Sequence, residues 1–145
     1  MEEGKEIHSV EFTPDKVLKK IETLRQEAAG GPDGIPPRVL KEIKEEISAP
    51  LSILYQRSMD EKCVPEDWKK ADVVPIYKGG SKFSAANYRP VNLTLTIMKV
   101  MESIVKDEMM GHLERNKLIK GTQHGFRPGM SMVTNLIEFW SQVID

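Results

Sequence analysis

Three cations, Lys78, Lys82 and Arg89, share the stretch YKGGSKFSAANYRPVNL with no Asp or Glu among them. Like charges crowded onto one loop repel, so such a loop is favoured by an anion close by and is otherwise left to water for screening. Arginine brings a planar fork matched to phosphate oxygens, and lysine a mobile point charge. The flanking residues supply a frame. ADVVPIYK reads as a short β-branched strand closed by a glycine turn, and RPVNL as a second strand with Val91 and Leu93 alternating. Pro75 inside the first strand predicts an edge position or a bulge. Antiparallel pairing is expected to set Lys78, ending one strand, face to face with Arg89, starting the next. Directly opposed cations destabilise a sheet, and an anion between them removes that cost. The connection from Gly79 to Tyr88 exceeds the usual hairpin loop of about 2–5 residues, and longer loops more often carry function. On spacing alone, an anion site and a solvated loop stand level.

Other chemistries find less support. His8, His112, His124 and Cys63 are too far apart in sequence for zinc-ligand spacing, and each histidine reads as a surface residue. Cys63, beside Val64 and near Met59, reads as a small core residue. GGPDG contains a GxxG form that can clamp phosphates, but Pro32 removes a backbone donor and Asp33 adds negative charge, so a turn is the better reading. No segment has the glycine and Lys-Ser/Thr spacing of a nucleotide-binding P-loop.

The elements that would hold the basic loop are mostly helical. TPDKVLKKIETLRQEAA has Thr13 to cap, Pro14 at the first helical position, and Val17, Leu18, Ile21, Leu24 and Ala28 at helical spacing up to Gly30-Gly31. Pro32 and Asp33 then form the centre of a type I turn closed by Gly34. A second helix is predicted from Pro37 through Val39, Leu40, Ile43 and Ile47, and a third from Pro50 through Leu51, Leu54 and Met59. After the hairpin a long helix covers Thr96 to Glu114, with Ile97, Val100, Met101, Ile104, Val105, Met109 and Leu113 on one stripe. Ser131 caps a last helix bearing Leu136, Phe139, Trp140 and Val143. The fold class is α+β, mostly helical with one β-hairpin.

The chain of 145 residues fits one domain, or a large piece of a longer protein. A lone cysteine, the lack of a long apolar run and the acidic start MEEGKEI lead to the expectation of a soluble, intracellular protein without a membrane span. The net charge of −1 hides an asymmetry. Residues 1–65 carry 13 acids against 10 bases; from Trp68 to Lys99 six bases face Asp72 alone, a local charge of +5. Local fields, not totals, steer a polyanion.

Five motifs in order, GPDGI, VPEDWKKADVVPIYK, NYRPVNL, KVMESIV and QHGFRPG followed by TNL, resemble the reverse transcriptase of jockey-like, non-LTR (LINE-type) retrotransposons. The resemblance implies a tail over residues 1–11, and over residues 12–145 the fingers and the start of the palm of a right-hand polymerase. It implies that Lys78 and Arg89 hold the triphosphate of an incoming nucleotide. It also implies that Gln123, Gly125, Phe126 and Arg127 line the template path, and that Asn87, Tyr88 and Pro90 shape the loop presenting Arg89. The implied partners are an RNA template, a DNA primer, a deoxynucleoside triphosphate and the remaining palm domain, in nucleus and cytoplasm. The aspartate-bearing motifs of the family fall after this segment, so no catalytic or metal-binding residue is assigned. Mg2+ is expected only for the full-length polymerase, and no extension activity for this chain alone. The alternative is a non-enzymatic helical module of retroelement origin that binds nucleic acid or a protein partner.

Overall fold

The computed structural model describes residues 9–144 except 122, 126 and 128. These fall into two compact units, residues 9–108 and residues 109–144. The first unit holds helices α1 (Pro14–Glu22), α2 (Pro37–Glu42) and α3 (Lys44–Asp60), strands β1 (Ala71–Tyr77) and β2 (Tyr88–Thr94), and the start of α4 (Thr96–Arg115). The second holds the last turns of α4 and then α5 (Met132–Ile144). Five helices and one antiparallel hairpin among the described residues make the chain α+β and mostly helical.

Thr13 caps α1 as expected, its hydroxyl accepting from the Lys16 N–H at 3.3 Å. The helix stops at Glu22, however, well short of Gly30. The Thr23 hydroxyl donates back to the Lys20 carbonyl at 2.8 Å, and the Thr23 and Leu24 N–H groups bond three residues back, tightening the chain into turns. Pro50 does not begin a helix either. The break falls at Ile43, and Pro50 lies exposed inside α3, where water can reach the Glu46 carbonyl that its missing N–H leaves unpaired. Of the stripe expected on the second helix, Leu40 is buried while Val39 and Ile43 are exposed.

The core of the first unit gathers Val17 and Ile21 of α1, Leu40 of α2, Leu51 and Tyr55 of α3, and Val100, Met101 and Ile104 of α4, with Val10 and Phe12 from the entering chain. Tyr55, with no exposed surface, lies at its aromatic centre. Its ring centroid is 5.6 Å from Phe12 and 5.7 Å from Trp68, and its hydroxyl donates to the Ile97 carbonyl at 2.6 Å. Tilted and edge-on rings at this range are favourable geometries.

Both long helices end alike. The Cys63 N–H bonds the Ser58 carbonyl and the Lys62 N–H the Met59 carbonyl, with Lys62 at φ 51°. Leu118 and Lys117 repeat the pattern onto Leu113 and Glu114, with Lys117 at φ 52°. These are Schellman ends with lysine where glycine is usual. The first corrects the reading of Cys63. The motif turns its backbone inward, with the Ser58 hydroxyl donating to its carbonyl at 2.7 Å, and leaves the residue exposed rather than in the core.

The GGPDGI segment makes the expected turn, the Gly34 N–H bonding the Gly31 carbonyl at 2.9 Å. Its glycines do more than end a helix. A Cβ on Gly31 would stand 2.7 Å from the Thr94 carbonyl and the Leu95 nitrogen. The Thr96 hydroxyl also donates to the Ile35 carbonyl at 3.3 Å. The turn is thus pressed, backbone to backbone, against the junction of β2 and α4, which fixes the foot of the hairpin.

Candidate functional site

β1 and β2 pair in the register Ala71↔Thr94 through Tyr77↔Tyr88. Lys78 lies one residue past β1, and its N–H donates to the Asn87 carbonyl at 2.8 Å. Arg89 pairs with Ile76. Lys78 and Arg89 are therefore not face to face. They share one side of the ribbon as diagonal neighbours, positions about 7–8 Å apart in such ladders. The reason is that pairing continues past the strand ends as far as Asn87, closing the loop sooner than strand lengths suggest. Among the described residues neither cation has an ion-pair partner.

Side chains alternate across a strand, so the ribbon has two unlike faces. Val74, Ile76 and Lys78 share one with Leu93, Val91 and Arg89; Val73, Pro75 and Tyr77 share the other with Asn92, Pro90 and Tyr88. Lys82 belongs to the second face, its ammonium 5.9 Å from the centroid of the Tyr77 ring. The three cations are thus split, two against one. Pro75 and Pro90 are directly opposed. Because 78/87 is a hydrogen-bonded pair, alternation makes 75/90 a non-bonded one, where the ladder requires no N–H.

The loop is braced by the two tyrosines of the second face and by Asn87, the partner of Lys78. The Tyr77 hydroxyl donates to the Gly80 carbonyl, the Asn87 amide to the Ser81 carbonyl at 2.8 Å, and the Tyr88 hydroxyl to the Lys82 carbonyl at 3.1 Å. Gly79 and Gly80 have φ of 129° and 90°, values that L-side chains rarely adopt. Two tyrosine rings 5.5 Å apart support this arrangement. Tyr77 escaped the sequence reading. Its signal was a tyrosine at the mouth of each strand.

In the second unit Gln123 and Gly125 are exposed and Arg127 is half-buried, its guanidinium donating to the Gln123 carbonyl at 3.4 Å. Phe126 lies outside the described residues. Neither a left-handed φ nor a close neighbour demands glycine at 125. His124 corrects the expectation of a surface histidine: it is 8% exposed. Its Nδ1 lies 2.9 Å from Thr134 Oγ1 and its Nε2 2.5 Å from a Glu138 carboxylate oxygen, which ties the Gln123–Arg127 segment to α5. Ser131 caps that helix as expected, accepting from the Thr134 N–H while Thr134 Oγ1 accepts from the Ser131 N–H. Thr134 and Glu138, four residues apart on one helical face, were the overlooked signal.

Among the described residues no group of three or more His, Cys, Asp or Glu could hold a metal ion. Nor is any helix among them long and apolar enough to cross a membrane.

Comparison with known proteins leads to one class, the RNA-directed DNA polymerases of mobile elements. The chain is 26% identical over 116 residues to the RNA-directed DNA polymerase from mobile element jockey of Drosophila melanogaster, 79% of its length. It is 24% identical over 120 residues to the probable RNA-directed DNA polymerase from transposon BS, and 25% over 134 residues to that from transposon X-element, both of the same fly, covering 82% and 92% of the chain. No family model matches. The resemblance to jockey-like, non-LTR reverse transcriptases read from the motifs is thus found again along most of the chain. The chain spans only 13–15% of the length of these relatives.

Proposed function

We propose that this chain is the fingers region and the start of the palm of a retrotransposon RNA-directed DNA polymerase, and that its hairpin binds the phosphates of an incoming nucleotide beside a template. The observation carrying this reading is the placement of Lys78 and Arg89. Two cations without carboxylate partners among the described residues share one face of the ribbon, and the loop between the strands carries Lys82 and no acid. Lys69 and Lys70, at the foot of β1, are by contrast paired with Glu66 and Asp67. Their side chains are long enough to converge from diagonal positions on one triphosphate, Arg89 as a fork and Lys78 as a point charge. The exposed Gln123, Gly125 and the half-buried Arg127 are the template contacts in this reading, and His124 positions them by its hold on Thr134 and Glu138. Asn87 and Tyr88 keep the loop in the shape that presents Arg89, and Pro90 follows it without disturbing the ladder.

The test is a salt titration of binding to a primed template. Each phosphate contact to duplex contributes about −0.9 to the slope of log affinity against log salt. A Lys78→Ala, Arg89→Ala double variant is expected to bind more weakly and with a shallower slope. An unchanged affinity and slope would overturn the reading.

A further inference from the structure

Phe83, at the tip of the loop, exposes its whole side chain, 102% of the reference surface. A phenyl ring in water is unfavourable, and an unconstrained loop could fold it back. This loop is not unconstrained. The three carbonyls immediately before Phe83, those of Gly80, Ser81 and Lys82, each accept a hydrogen bond from a hairpin side chain: Tyr77, Asn87 and Tyr88 in turn. The Phe83 N–H is itself bonded to the Ser81 hydroxyl at 3.3 Å. The Ser84 N–H returns to the Ser81 carbonyl at 3.2 Å. Three side chains therefore hold rigid a backbone whose product is one outward-facing ring. Lys82, the neighbour that could shield that ring, is drawn over Tyr77 instead.

We propose that Phe83 is a stacking platform for an unpaired nucleobase of a single-stranded nucleic acid. The choice of ligand follows from charge. The loop has cations at 78, 82 and 89 and no acid, so the ring projects from a surface that attracts a polyanion and repels basic partners. A flat, uncharged ring inside a cationic surface is the combination that binds single strands without regard to sequence, cations taking the backbone and aromatics the bases. Preorganisation of the loop lowers the ordering cost that binding would otherwise carry. The inference rests on the proposed function for its nucleic-acid partner, and adds a contact which that reading does not assign.

The experiment uses the 145-residue chain and short RNA and DNA single strands carrying a fluorescent adenine analogue whose emission is quenched by stacking. Wild type is expected to quench the probe, and Phe83→Ala to lose the quench and about 5- to 100-fold in single-strand affinity, with the salt slope unchanged. Phe83→Trp is expected to restore both, and blunt duplex to bind the wild type and Phe83→Ala equally. Quenching by RNA alone or DNA alone would name the strand. If Phe83→Ala binds single strands as wild type does, while the Lys78→Ala, Arg89→Ala variant has lost affinity, the stacking contact is wrong and the phosphate-binding hairpin stands. If wild type binds neither single strands nor primed template, both fall. Equal losses on duplex and single strands would also overturn the stacking role.

Discussion

The aromatic core and the β-hairpin of the first unit are built on opposite principles. Val17, Ile21, Tyr55 and Val100 are sealed from water, whereas every residue of β1 is exposed and Val73 keeps 63% of its surface. A fully buried aliphatic or aromatic side chain contributes roughly 1.5–3 kcal/mol relative to exposure. The strand draws little from that source, and a lone two-stranded ribbon is marginal in water. Its order comes from the ladder, the hydroxyl and amide braces of the loop, and the seam where Gly31 meets Thr94 and Leu95. Val74 and Ile76 stay exposed on the face that carries Lys78 and Arg89, and Val73 on the other.

The contrast can be broken most forcefully at its centre. Tyr55→Ala is expected to cost about 3–5 kcal/mol, the range for emptying a large aromatic from a core. Val73→Thr on the ribbon should stay within about 0.5 kcal/mol, as exposed substitutions do. Urea denaturation of both variants checks the pair, and equal losses would mean that the ribbon is part of the cooperative core after all.

The seam should come next. Gly31→Ala would force a Cβ against backbone atoms 2.7 Å away, which neither side can yield cheaply. A loss of about 1–3 kcal/mol is expected, as for other overpacked sites. Gly125→Ala, with no atom within 4 Å of the new Cβ, is the matched control and should leave the melting temperature in place. Amide exchange should show the protection of β2 falling in the first variant alone.

The smallest effect sharpens the picture of the core. Burial pushes the Tyr55 phenol above its ordinary value. The unfolded chain, titrating near pH 10, therefore releases this proton first. The contribution to stability is complete below about pH 10 and declines as pH rises toward the folded-state value. Tyr55→Phe loses the bond to the Ile97 carbonyl and about 0.5–1.5 kcal/mol at neutral pH. It should also flatten the alkaline fall in stability relative to wild type, which denaturation series at pH 8 and above would reveal. An unaltered alkaline slope would show that Tyr55 is not the group responsible.

Local chemistry was enough to specify the cap at Thr13, the turn at Pro32-Asp33, the two strands, the long helix after them and the cap at Ser131. Each depends on residues within a few positions of one another. The ordered motifs were likewise enough to lead to mobile-element polymerases. Tertiary structure alone decided the rest. Helix α1 ended early because a threonine hydroxyl competed for a carbonyl, and α3 kept Pro50 because that side of the helix faces water. Cys63 went outward because a Schellman turn claimed its backbone, and His124 went inward because Thr134 and Glu138 met both ring nitrogens. At the hairpin, composition placed three cations on one loop, but only the register could separate Lys82 from Lys78 and Arg89. A shift of one residue exchanges the faces of a strand, and what set the register here was the reach of Asn87, Tyr77 and Tyr88 into the loop they close.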